Sequence, residues 1–373
     1  MSELERLLAA KEIVVTCGAG GVGKTTTAAA LGAMAATRLG GRVLVLTVDP
    51  ARRLATAMGL EALGNVERQV PLDARGELWA AMLDTKASWD DLVRSHAPDD
   101  ATHDAIIANP LYQNITGKFV QSHDYIAMER LYELHASGTY DLIVVDTPPT
   151  RNAIDFLQAP ERMAEFFRSR FLRLLITPYR SRLVNLASRP FYTMADRVLG
   201  SQFLEDIAEF FVLFQSMYDG FVERARAVER VLHDRRTSFV VVTTLESTPV
   251  REAEFFIEAL AAEKLHLGAL VLNRVLPEYL NDGPAAGVAR RLCADHETLA
   301  AALPPELGDR DDVDRVLREL GESFLNFQVV AKREAEQRAE LTVGPEVVAS
   351  VPYLDSDIYD IAGLLEVGAA LWR

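Results

Sequence analysis

Ile13-Val14-Val15-Thr16-Cys17-Gly18-Ala19-Gly20-Gly21-Val22-Gly23-Lys24-Thr25 decides how this chain folds. An apolar, β-branched run of strand type passes directly into a glycine-rich turn, and the turn passes into an alanine-rich stretch of helical type. Gly18–Thr25 fits Gly-x-x-x-x-Gly-Lys-[Ser/Thr], and a strand before it and a helix after it are the setting in which that pattern has a mechanism. The glycines let successive backbone N–H groups point inward around a polyphosphate. The helix N-terminus beneath adds its positive end. Lys24 is placed to reach the β- and γ-phosphates, and the Thr25 hydroxyl to bind Mg²⁺. Gly18, Gly20, Gly21, Val22, Gly23, Lys24, Thr25 and Thr26 are therefore the expected phosphate cradle of a P-loop.

Outward from this loop, strand-like β-branched runs recur at 12–17, 42–48, 141–146, 238–244, 267–273 and 347–351. Helical patterns lie between most of them. The alternation predicts an α/β fold, a mainly parallel sheet with helices on both faces. Val43-Leu44-Val45-Leu46 and Leu142-Ile143-Val144-Val145 are continuous apolar runs, as strands covered on both faces require. Residues 76–136 read as helical and mixed in character, 277–340 as acidic and helical, and Asp357–Leu371 as a closing helix. Residues 153–236 read as a helical insertion subdomain within one P-loop domain spanning 1–373.

Ligands of open α/β sheets bind at the carboxyl ends of the strands. Two carboxylates fall there. Asp49 follows the second strand, where it can orient the attacking water or sit in the outer Mg²⁺ shell; it can also cap a helix starting at Pro50. Asp146 closes an apolar strand, the usual second half of a P-loop site, and is expected to hold Mg²⁺ or its waters with Thr25. Asn273 ends the fifth predicted strand, where its amide can pair with an adenine edge; an Asn after a strand also serves as an ordinary turn residue. Seven histidines are scattered without metal spacing.

Composition narrows the functions available. A net charge of −15 argues against nucleic acid as the main partner. Cys17 and Cys293 form no C-x-x-C, which suits a reducing cytoplasm, and Cys17 reads as a small core residue. Met1–Lys11 carries no signal core, and no stretch of about twenty uncharged apolar residues predicts a membrane span. The insertion is different in character. It holds ten of the sixteen Phe, and Arg162–Arg197 contains eight Arg against two acids. Basic residues interleaved with Phe and Leu fit a surface for membrane headgroups or an apolar client; they fit equally a helical subdomain packing its own core under a solvated Arg face.

Together these motifs resemble the arsenical-pump and guided-entry (tail-anchored-protein targeting) ATPases, within the wider P-loop group that includes MinD and ParA. The loop matches the group's Gly-Lys-Gly-Gly-Val-Gly-Lys-Thr except at Ala19. Asp49-Pro50-Ala51-Arg52-Arg53-Leu54 is similar to the family's switch I. Asp146-Thr147-Pro148-Pro149-Thr150-Arg151, with Phe156-Leu157-Gln158-Ala159-Pro160 beyond it, is similar to switch II. The resemblance implies a dimeric ATPase using ATP and Mg²⁺, with Lys24 and Asp49 as catalytic residues and Asp49 orienting water. It implies nucleotide contacts from Glu246, Asn273, Pro352 and Tyr353, and a client surface on the helices after switch II.

The departures carry their own implications. The clustered cysteines of arsenite-binding members and the C-x-x-C zinc clamp of eukaryotic members are missing, so no zinc is expected. Ala19 replaces a Lys that reaches the other subunit's phosphates in the manner of an arginine finger. Arg52, Arg53 or Arg151 can substitute in a homodimer; the reading preferred here is a heterodimer with a paralogue that retains the Lys. The alternative is a regulatory ATP-binding subunit with little hydrolysis of its own. A MinD-like positioning role is disfavoured because Ile358–Arg373 shows no basic face for a membrane.

Overall fold

The computed structural model describes residues 1–48, 53–118, 120–147, 162, 165, 209–214, 217–341, 345 and 347–373. Among the described residues, eight strands form one sheet: β1 (Ile13–Cys17), β2 (Arg42–Thr47), β3 (Arg68–Val70), β4 (Glu77–Met82), β5 (Leu142–Asp146), β6 (Thr237–Thr243), β7 (Leu267–Val275) and β8 (Val347–Pro352). Their order is β3-β4-β2-β5-β1-β6-β7-β8, parallel throughout except for β3, which pairs antiparallel to β4 at the edge. The strand that feeds the phosphate loop is thus central, with β5 on one side and β6 on the other.

The apolar runs are continuous because two cores share them. Ile13, Val15 and Cys17 face a layer built from α4 (Thr85–His96), α5 (Asp100–Ala108), α6 (Pro110–Lys118), α7 (Val120–Ala136), α8 (Tyr218–Leu232) and α9 (Ser247–Ala262). Val14 faces the other layer, made by α1 (Glu3–Ala9), α2 (Lys24–Arg38), α3 (Arg53–Ala57) and α13 (Ile361–Leu371). The alanines of α2 serve this packing. They let the helix that carries the phosphate loop lie close on the sheet, and at Gly32 even a Cβ would stand 2.3 Å from a Val45 methyl. Residues 277–340 are helical as expected, with α10 (Gly283–Ala294), α11 (His296–Ala302) and the long α12 (Arg310–Glu340).

Two expectations need correction. Residues 76–136 are not helical throughout: Glu77-Leu78-Trp79-Ala80-Ala81-Met82 forms β4, parallel to β2 with Arg42 opposite Glu77 and Thr47 opposite Met82. This run has no β-branched residue, so propensity hid a strand that the tertiary pairing imposes. The closing helix starts at Ile361 rather than Asp357, because Asp360 is its N-cap and accepts from the Gly363 N–H at 2.8 Å.

Most of the predicted insertion lies outside the described residues, including Phe156, Phe166, Phe167, Phe171, Phe191 and Phe203. The Phe residues that are described pack inward. Phe210, Phe214 and Phe221 stack in sequence at 4.8 and 5.0 Å between ring centres, and all three are buried with Trp89, Tyr112 and Tyr125. For this part of 153–236 the aromatic residues make core. Within that core α7 and α8 are joined by a charged pair, Arg224 Nε to Glu129 Oε1 at 2.8 Å. The Tyr125 hydroxyl donates to the other Glu129 oxygen at 2.9 Å.

Candidate functional site

The phosphate loop adopts the conformation its glycines permit. Gly18, Gly21 and Gly23 take φ of 145°, 80° and 96°, in the left-handed region that a side chain disfavours. Gly18 has a second constraint, since a Cβ there would meet the Val242 carbonyl oxygen of β6 at 2.1 Å. Gly23 is the N-cap of α2 and has no side chain to cap the helix, so the first-turn N–H groups are presented to the loop's interior.

Lys24 is buried at the start of α2, and its ammonium donates to the Ala19 carbonyl oxygen at 2.7 Å. It therefore lies folded across the mouth of its own loop. Ala19 is also buried, at 8% exposure, with its methyl in the apolar cluster of Val22 and Ala28.

Hydroxyl groups lace the carboxyl ends of the neighbouring strands. Asp146 ends β5 opposite Thr16 of β1 and Thr47 of β2. It is fully buried and accepts from the Thr47 hydroxyl at 2.9 Å. The Thr147 hydroxyl donates to the Thr16 carbonyl at 2.8 Å, and the Thr16 hydroxyl to the Val145 carbonyl at 3.0 Å. A carboxylate taken out of water needs donors or a cation. Asp146 and the Thr25 hydroxyl are hard oxygen groups of the kind Mg²⁺ takes; Thr25 and Thr147 line the cavity over the loop, and Asp146 is not among its lining residues.

A cavity of about 810 Å³ opens over the loop. Gly21, Gly23, Lys24, Thr25 and Thr26 line it on one side, with Thr56, Ala57 and Thr147 beside them. Asn273 and Arg274 from β7, Pro352 at the end of β8, and Tyr353, Ser356, Asp357 and Tyr359 from the segment joining β8 to α13 also line it. The glycine cradle and a lining that is half polar and half apolar fit a nucleotide with its metal. Asn273, Pro352 and Tyr353, distant in sequence, are thus brought to the same cavity as the P-loop.

Other expected residues fall elsewhere. Glu246 is the exposed N-cap residue of α9 and, among the described residues, is not part of the cavity lining. It acts electrostatically on Glu334 of α12, whose carboxyl is raised above the usual range by burial first and by Glu246 as a lesser cause. Asp49, Pro50, Ala51, Arg52, Arg151 and the second half of switch II lie outside the described residues. Arg274, Thr56 and Tyr359 were not assigned roles from sequence. For Arg274 the signal was its place beside Asn273 at a strand end.

A glycine-rich loop between a central parallel strand and a helix, a buried Lys at the helix start and a buried Asp at the end of the next strand define a P-loop nucleotide-binding protein. The sequence matches the family of anion-transporting ATPases (ArsA type) over residues 11–299, and the chain belongs to that family. It is 31% identical over 277 residues to an uncharacterised protein of Streptomyces coelicolor, covering 72% of this chain and 63% of that one. It is 28% identical to the ATPase get3 of Aspergillus terreus, covering 69% and 72%. It is 24% identical to a putative arsenical pump-driving ATPase of Aquifex aeolicus, covering 71% and 64%. The chain thus spans less than two thirds of the Streptomyces and Aquifex relatives. Among the described residues, no helix is long and apolar enough to cross a membrane.

Proposed function

We propose that this protein is an ATP-hydrolysing, dimeric P-loop ATPase whose nucleotide cycle moves a helical surface for an apolar client, in a protein-targeting or chaperone-like role. The observation that carries the nucleotide reading is the loop itself: three left-handed glycines and the buried Lys24 beneath an 810 Å³ cavity. In this reading Lys24 binds the β- and γ-phosphates and Gly21, Gly23 and Thr26 shape the cradle. Thr25 and Asp146 hold Mg²⁺, and Asp49 orients the water. Mg²⁺, so held, would supply charge compensation to the phosphates. Names of relatives support the family's chemistry, an ATPase get3 and an arsenical pump-driving ATPase among them.

The reading extends to a partner. Ala19 brings no charge across an interface, and its methyl is part of the chain's own apolar cluster. A paralogous subunit with Lys at this position completes the pair of sites. The test is steady-state ATP hydrolysis by the purified chain, alone and as Ala19→Lys. The expected result is slow turnover by the unaltered chain and at least a tenfold gain for Ala19→Lys, since a charge supplied across an interface is worth about 10³–10⁵ in rate. Fast turnover by the unaltered chain, lost in Arg52→Ala or Arg151→Ala, assigns the charge to this chain's own arginines and removes the need for a paralogue. Absence of ATP binding by equilibrium dialysis removes the ATPase reading altogether.

A further inference from the structure

We infer that Asn273 is a positioning residue for the phosphate loop, so that one side-chain amide joins the base end of the cavity to the end that wraps the phosphates. This rests on the nucleotide reading of the site. The observation is a bond across 251 positions of sequence: Asn273 Nδ2 donates to the carbonyl oxygen of Val22, inside the loop, at 2.7 Å.

The surrounding backbone is built to place that amide. β7 and β8 run in register to Leu272 opposite Ser350 and resume at Val275 opposite Pro352. Asn273 and Arg274 thus stand against Val351 alone, a bulge of the kind that re-aims a side chain beside a site. Arg274 completes the bulge with φ of 58°, a left-handed conformation unusual for a residue with a long side chain. In that conformation its N–H donates to Asn273 Oδ1 at 3.0 Å, which fixes which way the amide faces. Glu334 of α12 holds the strand just beyond, accepting from the Leu276 N–H at 3.0 Å.

The loop is shaped to receive it. A Cβ on Gly23 would stand 2.2 Å from Asn273 Nδ2, so the bare backbone at 23 is what lets the amide reach Val22. An Asn amide has two donor hydrogens and two acceptor lone pairs. Val22 and Arg274 use one of each. The remaining donor and acceptor are the pair that an adenine edge asks for, and Asn273 lines the cavity. One residue can therefore read the base and hold the loop that binds the phosphates.

The experiment separates these two roles with a ligand that has no base. Binding of inorganic tripolyphosphate and of ATP, each with Mg²⁺, is measured calorimetrically for the full chain, Asn273→Ala and Asn273→Asp. Hydrogen exchange of the segment 18–25 is measured on the same proteins without ligand. The expected result is that both variants lose about tenfold or more in tripolyphosphate affinity, the scale for losing a donor and leaving its partner carbonyl unsatisfied. Exchange in 18–25 rises while the β1 and β6 amides stay protected. Asn273→Asp keeps the acceptor for Arg274 and loses the donor to Val22, so it groups with Asn273→Ala. Tripolyphosphate affinity within twofold of the unaltered chain, with loss for ATP alone, makes Asn273 a base reader only and overturns the inference. If a variant unfolds, Asn273→Ser with the exchange measurement decides: unchanged exchange in 18–25 overturns it. An unaltered chain that binds neither ligand refutes the nucleotide reading itself, a different outcome from an unaltered chain that binds both.

Discussion

The Lys24 ammonium and the Ala19 carbonyl oxygen are 2.7 Å apart, and this bond closes the phosphate loop on itself. It satisfies a cation that the fold keeps at 6% exposure. A polyphosphate entering the cavity offers Lys24 a stronger, charged acceptor in place of the neutral carbonyl. Lys24→Met is therefore expected to lower kcat/KM for ATP by about 10²- to 10³-fold, the scale for one lost donor to developing charge. Because Met keeps the apolar stem, thermal unfolding should change little. Steady-state hydrolysis beside a melting curve checks both halves, and unchanged hydrolysis removes Lys24 from the site.

The Thr47–Asp146 bond makes a separate prediction. Thr47→Val keeps the shape of β2 and deletes a hydroxyl that donates to the buried carboxylate at 2.9 Å. A carboxylate with fewer donors is costlier to keep ionised. The Mg²⁺ concentration for half-maximal hydrolysis should rise, on the order of tenfold, with saturating turnover less affected. A Mg²⁺ titration at fixed ATP reads this directly, and an unshifted midpoint removes Asp146 from the metal's surroundings.

How much of this was legible beforehand depended on which signal each residue carries. The loop, β1, β5 and Asp146 were legible because their chemistry is local: glycines where φ is positive, a Lys-Thr pair at a helix start, an apolar run closing on Asp. β4 was not, since Glu77–Met82 has helix-forming composition and is a strand only because β2 pairs with it. Asn273 was legible as a polar strand end, yet its hold on Val22 is a bond between β7 and a loop 251 residues earlier, which no spacing rule reports. The bulge that aims it depends on β8, still further along the chain. Glu246 shows the reverse: the resemblance pointed it to the nucleotide, but it stands exposed at the head of α9, makes no capping bond there and is not among the cavity-lining residues.

The amino end of the sheet predicts a modest acid sensitivity. The Asp234 carboxyl is held down at about 2, chiefly by its hydrogen bonds from Arg236. Arg236 also pairs with Glu12 at 2.9 Å, tying the entry of β6 to that of β1. A carboxyl depressed in the folded state stabilises above its unfolded value of about 3.9 and loses that contribution as pH falls toward the folded value. The effect should be under about 1 kcal/mol, because the pair is solvated. Asp234→Asn should therefore flatten part of the stability loss between about pH 4 and pH 2 and change neutral stability little. Urea unfolding at pH 7, 4 and 2.5 checks the sign; a variant whose loss on acidification equals that of the unaltered chain contradicts it.

The buried pair of Glu129 and Arg224 carries a larger effect. Glu129 is 1% and Arg224 13% exposed, and burial pushes the Glu129 carboxyl up even though Arg224 opposes the shift. The guanidinium also lies 4.9 Å from the Phe221 ring centre, inside the aromatic stack that joins α4, α7 and α8. Removing one member of such a pair leaves a buried charge without its counterion, at a cost of about 3–5 kcal/mol. Glu129→Ala should fall in that range. Removing both charges should cost less than removing one, because no uncompensated ion remains. Glu129→Ala with Arg224→Met should thus recover at least half of the stability lost by Glu129→Ala alone. Urea midpoints of the four proteins form the cycle, and a double variant as unstable as the sum of its parts shows that the two side chains act independently. Since α7 leads into β5 and Asp146, and α8 into β6 beneath Gly18, the same variants report whether loosening this pair reaches the nucleotide site. Glu129→Ala is expected to raise hydrogen exchange in the turns before β5 and β6 ahead of the strands themselves, since the packed sheet interior opens last.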